Sequence, residues 1–304
     1  MIMKKEAKKT LIFLAALIAS FWVIDWLFGI VSYKLLASMP AAPNEVARMN
    51  YQVKQCESEC LILGSSRASH HYAPSIIQDS LGLSTYNAGG NGHGISYADG
   101  VLRAIIGRKK PKLIILECSD GEFRADWTEK VGSLKPYFKE HPEILHLAMR
   151  VVGDKESLKS KFSAYRFNSL LFPVLGTYLN YSMDKEKGFM PLKGNNIPEM
   201  KMRESKGAFS INNMNRNVFE DFVGICKDNN IKVVAFCSPI YQDFSSERIE
   251  LSKICEEKDI PFYDYSNDEF FMSHPEYFWD NAHLNKDGAE IYTKLVIAGI
   301  KGSK

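Results

Sequence analysis

Residues 112–118 read Lys112-Leu113-Ile114-Ile115-Leu116-Glu117-Cys118, with four aliphatic side chains in succession. A strand with one wet face alternates apolar and polar residues, whereas a strand covered on both faces is continuously apolar, as in parallel sheets. The same signature recurs at Cys60–Leu63, Ser84–Asn87, Lys232–Cys237 and Pro261–Tyr265, each rich in Ile, Leu, Val, Phe or Tyr and bounded by turn residues. Helices are expected at Pro74–Leu81, Ser96–Arg108, Met214–Asn229, Ser246–Lys258 and Lys286–Ile300, where they supply the right-handed crossovers that parallel neighbours require. Five parallel strands connected in this way predict an α/β fold, a flavodoxin-like three-layer α/β/α sandwich.

Outside these segments the chain divides unevenly. Lys4, Lys5, Lys8 and Lys9 precede an apolar stretch from Leu11 to Tyr33, long enough for the roughly 20 helical residues that cross a bilayer. Residues 1–35 therefore read as a cytoplasmic stub and an N-terminal transmembrane helix, 36–55 as a linker, and 56–304 as the folded domain. A cleavable signal peptide would need a shorter apolar region and a small-residue site, for which only the Ala37–Ala42 neighbourhood serves; a buried or amphipathic helix is the other alternative. The four lysines before the span place the N-terminus inside and the domain outside. Asp25 is costly within a span and calls for hydration, a partner helix or an assembly contact.

Between the third and fourth strands, residues from 121 to about 210 carry weak periodicity and are too long for a crossover. They are expected to form an inserted cap of short helices and loops, with a surface excursion as the bland reading. The first 40 residues hold five of the 38 basic and two of the 36 acidic residues, so the body is close to neutral and offers no electrostatic case for nucleic acid. Six cysteines without CxxC or matching Cys/His spacing give no structural metal site. Cys118 and Cys237 read as small core hydrophobes, and Cys56 and Cys60 as a pair able to close a disulfide in an oxidising compartment.

Ligands of such sheets bind beyond the C-terminal strand ends, so four turns carry the chemistry. Leu63-Gly64-Ser65-Ser66-Arg67 sets a hydroxyl at a helix start, where backbone N–H groups converge on a developing oxyanion; a serine there is more often a cap than a nucleophile. Asn87-Ala88-Gly89-Gly90-Asn91-Gly92-His93-Gly94 offers unshielded N–H groups but no GxGxxG or GK[ST] phosphate fingerprint. Glu117-Cys118-Ser119-Asp120 is the third turn, and Asp280-Asn281-Ala282-His283 the fourth. In the fourth, Asp280 is placed to orient His283 as a base; a capping Asp beside an unrelated surface His is the alternative. His70 and His71, in the helix start after Ser66, are weaker candidates.

Taken in order, these blocks resemble the SGNH/GDSL hydrolase superfamily. Gly64-Ser65-Ser66-Arg67 is similar to its first block, Asn87 to Gly92 to its second, and Asp280 to Ala289 to its closing one. The resemblance implies Ser66, His283 and Asp280 as catalytic residues, and Ser66, Gly92 and Ser119 as the oxyanion hole. Ser119 stands where that family has Asn, a departure shared with membrane-anchored SGNH-like proteins of the cell envelope. Arg67, Asn91 and Arg166 become candidate substrate contacts, as does the Gly188–Leu192 stretch. The expected function is a membrane-anchored, extracytoplasmic serine esterase acting on an acylated glycan or other ester. It would be held in the inner membrane, need no cofactor and have room for envelope-assembly partners. An O-acyltransferase, or a non-catalytic glycan-binding subunit of the same fold, are the rival readings.

Overall fold

A computed structural model of the chain describes residues 2–118, 125–195, 212–241 and 247–302. In chain order the elements are α1 (Ile2–Ala37), α2 (Glu45–Lys54), β1 (Cys60–Leu63), α3 (Ser66–His71), α4 (Pro74–Leu81), β2 (Thr85–Asn87), α5 (Ile95–Ile106) and β3 (Leu113–Glu117). A 3-10 run (Ala125–Tyr137) and α6 (Pro142–Val151), α7 (Lys155–Lys159), α8 (Ser163–Phe167) and α9 (Leu171–Leu179) follow. Then come α10 (Asn213–Asp228), β4 (Lys232–Cys237), α11 (Glu247–Glu257), β5 (Phe262–Asp264), α12 (Glu269–Ser273), a 3-10 turn (Pro275–Tyr277) and α13 (Lys286–Gly302).

The five strands form one parallel sheet in the order β2-β1-β3-β4-β5, the flavodoxin-like arrangement expected from the apolar runs. Alternation at period two sends Leu61, Leu63, Ile114, Leu116, Val233 and Ala235 to one face, against α2, α5 and α10. Cys60, Ile62, Leu113, Ile115, Val234 and Phe236 go to the other face, under α4 and α13. Both faces are covered, which is why the runs show no polar alternation. The cysteine pair is a correction: all six cysteines are free and buried. Cys56 belongs to the first core and Cys60 to the second, so the sheet separates the two thiols. Burial pushes the Cys60 thiol up to about 12.

Residues read as a linker include α2. Asn44 caps it by accepting the Ala47 N–H at 3.0 Å, and Met49 and Val53 bury on the sheet side with Val46 packed against them. Among the described residues the insert contains the 3-10 run and helices α6 to α9, and it packs on α1, α2 and α5.

Helix α1 is long and apolar enough to cross a membrane, a test that a signal sequence also passes. Its C-terminal half is docked on the insert. The Asp25 carboxylate accepts the Ser163 and Ala164 N–H groups at 2.8 and 2.7 Å, Trp22 stacks on Phe162 with centroids 5.1 Å apart, and Leu36 is fully buried. Asp25 thus finds its partner within the same chain, at the start of α8.

Candidate active site

β1 sits next to β3 at the point where the chain order of the sheet reverses, so the turn after β1 opens into the crevice where such folds place ligands. Gly64 makes that turn at φ +137, and a Cβ there would stand 2.6 Å from the Glu117 carbonyl oxygen, so only glycine fits. Ser66 is the first residue of α3, and its N–H has no intrahelical acceptor. Its hydroxyl oxygen lies 2.8 Å from His283 Nε2. His283 Nδ1 lies 3.0 and 3.1 Å from the two Asp280 oxygens.

A carboxylate only accepts, so Nδ1 carries the ring proton and Nε2 faces Ser66 as an acceptor. Asp280 Oδ1 also takes the N–H groups of Ala282 and His283, at 2.7 and 2.8 Å. Burial works to raise the Asp280 carboxyl, but the bonds from His283 and from these two N–H groups outweigh it and hold the group below its ordinary value. Asp280 therefore remains an anion at neutral pH. The loop is fixed by the antiparallel Phe278–Leu284 bridge, by Trp279 N–H on the His283 carbonyl at 2.8 Å, and by Asn285, whose Oδ1 accepts the Gly288 N–H at 3.0 Å.

Behind His283 lies a buried relay that no local sequence signal marks. The Leu284 N–H donates to His71 Nε2 at 2.9 Å, which puts the His71 proton on Nδ1, where it reaches Ser238 Oγ at 2.7 Å. Ser238 in turn donates to Glu117 Oε1 at 2.8 Å, and Tyr72 donates to Glu117 Oε2. Burial holds His71 far below its ordinary value, with His283 and Arg67 adding to the effect, so it is a neutral strut. Burial likewise raises Glu117, opposed by Arg67, Tyr72 and Ser238. His70 stands edge-on to His283 with centroids 5.4 Å apart, donates from Nδ1 to the Met190 carbonyl at 2.6 Å, and lies 3.1 Å from the Asn91 amide.

The Gly-rich turn is held against α3 by Asn87, which donates to the Ala68 and Tyr72 carbonyls at 2.7 and 3.0 Å. Arg48 of α2 donates to the Gly89 carbonyl at 2.7 Å. Gly92 adopts φ +65 and is partly exposed beside Asn91. Past it, His93 stacks on Tyr97 with centroids 3.7 Å apart and lines a cavity of about 370 Å³. Glu45, Met49, Ser133, Lys135 and Asn168 also line this cavity. Burial drives His93 down to about 3, with Lys130 and Arg48 adding to the effect.

Ser66, His283 and Asp280 are thus brought into one hydrogen-bonded line; Asn91 stands outside it, against His70, whose ring meets His283 edge-on. Arg67 is outside it too: it is buried, pairs with Glu117 at 3.1 Å and donates to the Ser238 carbonyl at 3.2 Å, so it braces the core beneath the turn. Arg166 is buried on α8, bonded to Ser163 and lying over the Phe167 ring. Ser119 lies outside the described residues. The Gly188–Leu192 stretch pairs its Met190 N–H with the Ser69 carbonyl at 2.9 Å, a packing contact along α3. Among the described residues no group of three or more His, Cys, Asp or Glu side chains converges as a metal cradle.

No family model and no curated protein matches the sequence. Among solved structures, the chain is similar to a GDSL-like lipase from Bacteroides thetaiotaomicron at 9% identity, over 86% of this chain and 99% of that one, with a TM-score of 0.43. It is similar to an acetyl xylan esterase at 11% identity, over 80% and 98%, with a TM-score of 0.38. A two-domain esterase active on acetylated mannans matches at 10% identity, over 89% of this chain and 56% of that one, with a TM-score of 0.41.

Proposed function

We propose that the protein is a membrane-anchored serine esterase whose substrate is an acylated glycan, with Ser66 as nucleophile, His283 as base and Asp280 as the group that orients it. The observation that carries this reading is the unbroken line from Ser66 Oγ through His283 to the ionised Asp280, at 2.8 and 3.0 Å. Ser66 gives its proton to His283 Nε2 and attacks the acyl carbonyl. The imidazolium is stabilised by Asp280, then protonates the departing sugar oxygen and leaves an acyl-serine. Water, activated by the same His283, attacks that ester and restores the enzyme.

The oxyanion is taken up by the N–H groups of Ser66 and Gly92, with the Ser119 hydroxyl as third donor. One such donor is worth about 2.7–4 kcal/mol of transition-state stabilisation. The glycan reading is supported by the cavity beside the Gly-rich turn, which joins polar Glu45, Ser133, Lys135 and Asn168 to apolar Met49 and Leu170. The esterase reading is supported also by the resemblance of the Ser66 and Asp280–His283 blocks to SGNH hydrolases.

Helix α1 as a retained single-pass anchor, with the domain outside the inner membrane, is supported by Asp25, Ser32 and Leu36, which are buried against the domain. The four lysines before the span fit the same orientation. The test is acetate release from an acetylated glycan by the full chain in detergent. Turnover by wild type and none by Ser66→Ala supports hydrolysis. Acyl transfer to an added glycan exceeding release to water would instead make the protein an O-acyltransferase using the same three residues. Glycan binding without turnover, unchanged in Ser66→Ala, would reject the catalytic reading.

A further inference from the structure

Helix α9 exposes an apolar face that no part of the described chain covers. Its sequence is Leu-Phe-Pro-Val-Leu-Gly-Thr-Tyr-Leu. Val174 and Thr177 are buried, while Phe172 is 83% and Leu179 82% exposed, with Leu175 half-exposed between them at i+3 and i+7. Tyr181 and Met183 continue the surface.

Where this face lies is set by α1. Phe162 stacks on Trp22, Ser163 and Ala164 bond to Asp25, and the Tyr178 hydroxyl donates to the Leu35 carbonyl at 2.8 Å. These contacts run from Trp22 to Leu35, 13 steps along the axis or about 20 Å of helix. The full α1 is about 54 Å long at 1.5 Å per residue, whereas a hydrocarbon core is about 30 Å thick. About 20 residues counted from Leu11, where the apolar stretch begins after the lysines, end at Ile30, so the contacts of the insert from Trp22 to Leu35 straddle the edge of the bilayer. At nine residues α9 is too short to cross, and a short apolar helix in that place lies in the interface. Lys155 and Lys161, exposed just before Phe162, carry charge that anionic headgroups attract, while Lys159 between them is paired with Glu156 at 2.8 Å. Trp22 and Trp26, both exposed, suit the same depth.

We propose that α9 is an interfacial docking helix. Phe172, Leu175 and Leu179 enter the headgroup–acyl boundary of a bilayer containing anionic lipid, so that the domain lies on the membrane surface and does not swing from its anchor. Asn168, Ser169 and Leu170, which lead into α9, also line the cavity beside the Gly-rich turn, so docking sets that cavity next to the headgroups. The inference rests on α1 spanning the membrane.

The test uses the full chain in vesicles of phosphatidylethanolamine and phosphatidylglycerol, with a nitroxide attached to Phe172→Cys, Leu179→Cys, Leu17→Cys or Asp228→Cys. The native cysteines are buried, and the unsubstituted chain serves as the labelling control. Spin-label accessibility to oxygen against a water-soluble nickel chelate reports depth. The expected result shifts positions 172 and 179 toward the lipid-like contrast of position 17, with position 228 water-like. Positions 172 and 179 matching 228 while 17 lies in lipid would overturn the docking and leave the anchor standing; that is also the outcome if the face is reserved for a protein partner. A water-like position 17 would overturn the span and the docking with it.

Discussion

Replacing Asp280 by Asn changes one carboxylate oxygen to an amide NH2 and leaves the backbone bonds to Oδ1 in place. Oδ1 already accepts the Ala282 and His283 N–H groups at 2.7 and 2.8 Å, and those two bonds fill its lone pairs. Oδ1 also lies 3.0 Å from Nδ1, so the ring proton is shared between this crowded oxygen and the second one, 3.1 Å away and free of backbone N–H groups. In Asp280→Asn that oxygen becomes an NH2 group, and donor faces donor. The imidazole relieves the clash by moving its proton to Nε2, where it points at Ser66 and can no longer accept the hydroxyl proton. A wrong tautomer of this kind costs about 10⁴-fold in kcat, or about 5 kcal/mol. The assay is steady-state hydrolysis of p-nitrophenyl acetate together with the rate of inactivation by a fluorophosphonate, with urea unfolding run alongside. Stability is expected to be unchanged while both rates collapse. Rates within about tenfold of wild type, at unchanged stability, would refute the assignment of Asp280 as the group that sets the His283 proton.

Other outcomes follow from the packing beneath the site. Gly64→Ala forces a side chain into φ +137 and toward the Glu117 carbonyl; backbone strain and overpacking together are expected to cost about 2–5 kcal/mol, measured as a fall in the urea midpoint. Ser238→Ala strands the buried His71 Nδ1–H and removes a donor from Glu117. The expected loss is about 1–3 kcal/mol, and an unchanged midpoint would show that the relay is not used. His70, His71 and His93 all have their values lowered, chiefly by burial. Below about pH 6.5 the unfolded chain binds protons that the folded one refuses, so stability falls with falling pH, by up to about 1.4 kcal/mol per pH unit for each histidine. Unfolding free energies measured from pH 7 to 5 check this, and a rise toward pH 5 would contradict it.

The strands were legible because a strand covered on both faces has no choice but to be apolar throughout. Cys60–Leu63 and Lys232–Cys237 match residue for residue, as does the proline-led helix Pro74–Leu81. The Ser66, Asp280 and His283 positions were legible for a related reason: a parallel sheet restricts chemistry to a few turns, and only those turns needed inspection. The insert was not legible. Its helices α7 and α8 have five residues each, too few to show a period, and α8 takes its N-terminal acceptor from Asp25, 138 residues upstream. Helix α2 had a readable signal, Asn44 followed by Val46, Met49 and Val53 at helical spacing, which the Pro- and Ala-rich start of the segment masked. His71 and Arg67 show the limit of local reading. Arg67 follows the candidate nucleophile and His71 ends the same short helix, yet their partners Ser238, Leu284 and Glu117 come from strands and loops that only the fold brings together.

The claim that Ser66 is an activated nucleophile is tested most directly by intact mass of the full chain after exposure to a fluorophosphonate, comparing wild type with Ser66→Ala and His283→Ala. One adduct on wild type, absent from Ser66→Ala and from His283→Ala, is the expected result and requires no knowledge of the substrate. A folded wild-type protein that takes up no adduct, or an adduct that survives in Ser66→Ala, would contradict the account.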